Sequence, residues 1–177
     1  MLSQPITLLR PALLAFGGSL AIAASAQINF PMQPVPMTMQ SLVVLLVGVA
    51  YGWKLGAATV LLYLAQGAMG LPVFAGFRGG PAALVGPTAG FLFGFVAAAA
   101  LAGWLAAQGW TRGWWRTALT LTAGHAVLFM GGVLWLTTLL GFERAAAVGF
   151  LPFIPGTVVK VALGVALLSL MRGLRRG

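Results

Sequence analysis

Lys160 is a cation in an apolar setting, about one turn inside a hydrophobic run at 156–172. A lysine among lipid tails costs about 2.5–3.5 kcal/mol on insertion scales, so such a residue is expected to face an interior cavity and to find an anion. Gly156, Lys160 and Gly164 fall on one helical face, which suits a buried orientation. The chain offers few partners: its ten Lys and Arg face a single acid, Glu143, which already adjoins Arg144. The missing negative charge is therefore expected from a ligand carboxylate. That anion would also meet the positive end of the helix dipole, just after Pro155. The competing reading is an ammonium that snorkels to the outer headgroups.

Other polar candidates surround the same theme. Arg78 stands inside a Gly/Pro-rich segment, residues 70–81, whose irregular backbone is tolerated at membrane depth only against protein or a watery cavity. Glycines there let backbone N–H groups approach a solute closely. Gln27, Asn29, Thr38 and Gln40 suit a ligand with both donors and acceptors, such as a urea or carboxamide, although helix capping and loop polarity explain them equally well. His125, alone in its run, reads first as an interhelical hydrogen-bond partner. Catalytic sets are missing: no paired carboxylates, no His cluster for a metal, no nucleophile elbow and no phosphate-binding loop. No enzyme activity, metal or cofactor is expected, and any ATP-driven work must come from a partner. With no cysteine there is neither a disulfide nor a thiolate metal site.

The elements that must position these residues are membrane helices. Of 177 residues 60% are hydrophobic and 6% charged, about a quarter of the charged fraction of soluble domains. The net charge of +9 does not indicate nucleic acid, because the cations sit singly between apolar runs rather than in a basic stripe. Runs at 6–27, 38–51, 53–69, 86–108, 115–140 and 156–172 predict an all-α integral membrane protein of six transmembrane helices in a single domain, 1–177. Several runs are short, which implies tilt or local thinning. Two connections are brief, at Gly52 to Lys54 and at Gly109 to Gly113. The other three are longer and rich in Pro and Gly, and alternating helix direction puts them all on one membrane side. Arg10, Lys54, Arg112, Arg116, Arg172, Arg175 and Arg176 lie on the opposite side, with five tryptophans, so that side is cytoplasmic and holds both termini. A cleaved leader over 1–26 is the weaker alternative, since only Arg10 precedes a run broken by Pro11.

Lipid supplies no hydrophobic force between helices, so small residues that allow close backbone approach mark packing faces. Gly86, Gly90, Gly94, Ala98 and Ala102 form such a stripe, read as internal packing. The first helix carries two rows, Ala15, Ser19 and Ala23, and Gly17, Ala21 and Ser25. Two rows exceed what one neighbour requires, so one is expected to face another subunit.

Three ordered stretches carry a resemblance. Pro34-Val-Pro-Met-Thr38 with Gln40, the run from Gly70-Leu-Pro-Val-Phe-Ala-Gly76 through Gly79-Gly80 to Gly86-Pro-Thr-Ala-Gly90, and Pro155-Gly156 with Lys160 resemble motifs of the BioY family; Phe129, Gly132, Trp135 and Leu136 are similar to a further pattern. The resemblance implies a biotin-capturing S component of energy-coupling-factor (ECF) vitamin importers in the plasma membrane. Its implied partners are a transmembrane coupling subunit that grips small residues of the first helix and two ATPase subunits, or a homo-oligomer where the protein acts alone. Position by position, it implies Gln40, Arg78 and Lys160 as biotin contacts and Phe74 and Trp135 as apolar walls. Two departures matter: Phe91 stands where Tyr is common, and Thr157 where the family usually has Asp. Without that Asp, a strong acceptor for the ureido N–H groups and a counter-charge for Lys160 are lost. Open alternatives are another anionic vitamin or small carboxylate, and a non-transporting membrane scaffold.

Overall fold

A computed structural model describes residues 5–174. Its long elements are helices: α1 (Pro5–Gln27), α2 (Gln40–Ala68), α3 (Ala89–Ala107), α4 (Trp114–Leu140), the short α5 (Phe142–Gly149) and α6 (Ile154–Leu174). Among the described residues, five helical stretches are long and apolar enough to cross a membrane. Arg175 and Arg176, used above to orient the chain, lie outside the described residues.

The two expected helices at 38–51 and 53–69 are the two arms of α2, divided at Gly52. That residue takes φ +79° and ψ 170°, a region that only glycine enters freely. A straight helix would hold Gly48 and Gly56 about 12 Å apart. Instead a Cβ built on Gly56 would come within 2.8 Å of the Gly48 Cα, so the chain reverses and the arms pack as a tight hairpin.

Close glycine contacts continue outward from this hairpin. Gly48 rests on the backbone of Ala99, and Gly103 on the backbone at Gly48 and at Gly52–Trp53, which seats α3 against both arms. Further along α3, Gly94 lies against the backbone of Leu128 and Gly90 against Gly131 and Trp135, which seats α4. The Gly90–Gly94–Ala98–Ala102 stripe is thus internal, with Ala98 and Ala102 fully buried. Gly86 precedes α3.

Helix α1 sorts its small residues by direction. Gly18 abuts Thr59 and Tyr51 of α2, and Ser19, Ile22, Ser25 and Ala26 are buried, with Ala15 and Ala23 half-buried beside them. Gly17 and Ala21 point outward, and nothing lies within 4 Å of a Cβ at Gly17.

Three connections gather at one end. The first forms a small antiparallel hairpin, β1 (Asn29–Phe30) with β2 (Met37–Thr38). The second is held by a bridge between Phe74 and Arg78 and a 3₁₀ turn at Pro81–Leu84. The third is more regular than its prolines suggested: Gly141, at φ +79°, ends α4, and the helix-forming sequence Phe142-Glu-Arg-Ala-Ala-Ala builds α5 before a 3₁₀ turn at Leu151–Phe153. At the opposite end Arg172 of α6 bonds the Thr111 carbonyl, Thr117 Oγ1 (3.1 Å) and Ser169 Oγ (2.8 Å), tying α6 to the start of α4.

Candidate functional site

The first two connections are bolted together before they enclose anything. Gln27, at the end of α1, donates from Nε2 to the Phe74 carbonyl (3.1 Å) and accepts the Phe77 N–H at Oε1 (3.0 Å). The Phe74 ring lies over Gly67, where a side chain would collide, and meets Tyr63 edge-on at 5.5 Å. Tyr63 in turn donates its hydroxyl to the Val73 carbonyl at 3.1 Å. Gln27 therefore acts as a loop clamp, a role more specific than general loop polarity.

Under these connections lies a cavity of about 360 Å³ between the first hairpin, the 70–88 segment and the start of α3. Its walls include Val35, Pro36, Gln40, Phe74, Arg78 and Phe91, so four of the seven expected ligand positions meet in one hollow. Gln40, the first residue of α2, is 3% exposed, and its buried Nε2 lies near the Tyr63 hydroxyl without a well-formed hydrogen bond among the described residues. An unsatisfied buried amide donor at a cavity wall is costly unless a ligand accepts from it. Arg78 is exposed at the same cavity, on the loop side.

A smaller hollow of about 40 Å³ shares the walls Val35, Pro36, Thr38, Phe91 and Phe95 with the first and adds Ser41 and Lys160. Lys160 is 6% exposed, and its Nζ donates to Ser41 Oγ at 3.0 Å. The ammonium therefore turns inward, and the headgroup-snorkelling alternative does not describe it. Gly156 and Gly164 face the same way, against Met37 and against Leu42 and Leu121, which lets α6 close on the hairpin and α2 around the cation. Glu143, the chain's one acidic side chain, is exposed on α5. Phe91 lines both hollows and packs on Phe129 (6.3 Å, edge-on) and Phe153 (6.2 Å, stacked).

Two expected positions lie outside this cavity. Trp135 donates from Nε1 to the Gly86 carbonyl at 2.9 Å and packs on Gly90, so it pins the start of α3 to α4 from behind rather than forming a wall. Thr157 returns its hydroxyl to the Phe153 carbonyl at 2.8 Å and lines a different space, an apolar groove of about 730 Å³ between α4 and α6. His125 also borders that groove; its Nδ1 lies 2.9 Å from the Leu121 carbonyl. Ser41 carries no sequence signal beyond its place beside Gln40, and the fold brings it to Lys160 across 119 positions.

The BioY family profile matches residues 2–176. The chain is 39% identical over 151 residues to the probable biotin transporter BioY of Pyrococcus horikoshii, covering 85% of this chain and 89% of that one. It is likewise 39% identical over 150 residues to the biotin transporter BioY of Thermotoga maritima, covering 84% and 87%. In fold it is similar to a crystal structure described as the S component for biotin from an ECF-type ABC transporter, with a TM-score of 0.82 at 24% identity over 99% of this chain and 95% of that chain. A profile that spans almost every residue, joined to relatives at this identity, leaves one assignment: the chain belongs to the BioY family.

Proposed function

We propose that this protein captures biotin from the outer side of a plasma membrane and delivers it as the S component of an ECF-type importer. The observation that carries the proposal is the buried Lys160 ammonium, without a nearby protein acid, behind a cavity that Gln40 also lines. A ligand with one carboxylate, a urea-like ring and an apolar body fits a mostly apolar hollow with a few placed donors. Lys160 answers the carboxylate and Arg78 adds positive charge from the loop. Gln40 donates to the ring carbonyl, while Phe74 and Phe91 flank the apolar body. Thr157 cannot stand in for the usual acid from its present orientation, so the ring N–H groups must be met by backbone carbonyls.

In this reading the two α2 arms each cross the membrane, giving six crossings with both termini in the cytoplasm. Supporting that orientation, Trp53, Trp104, Trp110, Trp114 and Trp115 are exposed toward one end of the bundle. Lys54 and Arg116 lie over the rings of Trp53 and Trp115 there, at 5.3 Å and 5.1 Å. Of the small rows on α1, the face bearing Gly17 and Ala21 is free to meet a transmembrane coupling subunit energised by two ATPases. Ala15, Ser19, Ala23 and Ser25 mainly serve the internal contact with α2.

Calorimetric titration of the purified protein with biotin, followed by competition with a panel of other vitamins, tests the proposal. Saturable one-site binding displaced by biotin alone is expected. Tighter binding of a different anionic vitamin would reassign the substrate, and no binding of any small molecule would favour a scaffold.

A further inference from the structure

Ser41 stands in none of the motifs above, yet its side chain is what holds Lys160. It is the second residue of α2 and 6% exposed, and it accepts from the Lys160 Nζ at 3.0 Å across 119 positions of chain. Hydroxyls in this fold ordinarily turn back to their own helix. Thr59, Thr117, Thr137 and Thr157 each bond the carbonyl four residues earlier, at 2.7, 2.7, 2.8 and 2.8 Å. Ser41 departs from that habit and reaches another helix.

The chemistry of the pair leaves donors to spare. A hydroxyl that accepts from an ammonium still has its own hydrogen to give, and an ammonium held by one bond still has two. Among the described residues the Ser41 hydroxyl has no acceptor for that hydrogen. Both side chains border the small hollow behind Phe91, beside Thr38. Adjacent O–H and N⁺–H donors match the two oxygens of a carboxylate, and hydrogen bonds to charged partners are the stronger kind.

We infer that Ser41 and Lys160 form one carboxylate-binding pair, in which Ser41 orients the ammonium toward the cavity and donates its own hydroxyl to the ligand's carboxylate. This rests on the reading of Lys160 as the ligand's cation site. It makes Ser41 a determinant of selectivity for the free acid over neutral derivatives.

The test is calorimetry on the full chain, wild type, Ser41→Ala, Lys160→Met and the double variant, each with biotin and with biotinamide, whose terminal amide carries no charge. Ser41→Ala should weaken biotin at least about tenfold. It should weaken biotinamide by less than it weakens biotin, and it should cost less in the Lys160→Met background than in wild type. Unchanged biotin affinity in Ser41→Ala, equal losses for both ligands, or the same loss with and without Lys160 would overturn the inference. Should Ser41→Ala fail to fold, Ser41→Thr and Ser41→Cys carry the test: the hydroxyl should hold affinity near wild type and the thiol should not, and equal binding by both would overturn it. Lys160→Met sorts the two levels of argument. If that variant binds biotin like wild type, the Lys160 reading itself fails; if it responds while Ser41→Ala is silent, only the role of Ser41 does.

Discussion

Two hollows in this molecule differ in almost every respect that matters for recognition. The groove between α4 and α6 is the larger, about 730 Å³, and is walled mainly by Ala, Val, Ile and Phe side chains. The cavity under the outer connections is about half that size, about 360 Å³, yet Gln40 and Arg78 line it and Ser41 and Lys160 stand behind it. Lipid tails fill an apolar groove on the side of a membrane protein without any specific contact. A hollow lined by a buried amide donor and backed by a buried ammonium is costly to leave as it is, and that cost is what a ligand removes, whereas the groove has His125 Nε2 as its one buried polar atom without a partner among the described residues. Volume is therefore a poor guide here, and donor count a good one.

Substitutions can break or sharpen this contrast. Lys160→Met, which keeps most of the volume and removes the charge, should lower biotin affinity on the order of a hundredfold in calorimetry. Gln40→Leu should cost about tenfold, as expected for one neutral hydrogen bond plus an altered cavity wall. Thr157→Val, on the groove side, should change affinity by less than about threefold. Ala126→Leu, which fills part of the groove, should leave affinity within about twofold of wild type. A large effect from either groove variant, measured on protein that elutes as wild type in detergent, would mean that the two hollows are coupled.

The sequence made some of this legible and hid the rest for identifiable reasons. Lys160 was readable because charge is expensive in lipid whatever the packing, and its inward turn follows from the same cost. Gly52 was readable as a break, and its fold-back into a hairpin agrees with the brief connection seen there. The third connection is more regular than its Pro/Gly content suggests, because the residues that follow Gly141 have enough helix propensity to form α5.

Helix rotation was the main thing the sequence could not supply. Thr157 and Lys160 are three positions apart, which on an α-helix leaves them about 60° apart in direction. That angle is enough to send one side chain to the groove and the other to the cavity. Trp135 matched a motif, but whether an indole forms a wall or a pin depends on what its N–H meets, here the Gly86 carbonyl. Ser41 carried no motif, and serines near helix starts are common; only the fold brings it to Lys160.

The two rows on α1 show the same limit. They were equivalent as sequence, and the contact of Gly18 with Tyr51 and Thr59 decides which faces inward. Spacing alone gives the rows, while the neighbour gives their direction.

A structure of the protein bound to biotin measures the central claim most directly. The account predicts ligand between the first two outer connections and Phe91, with a carboxylate oxygen about 2.7–3.2 Å from the Lys160 Nζ. Biotin seated in the α4–α6 groove, or in the outer cavity with Lys160 bonded to Ser41 alone, would contradict it.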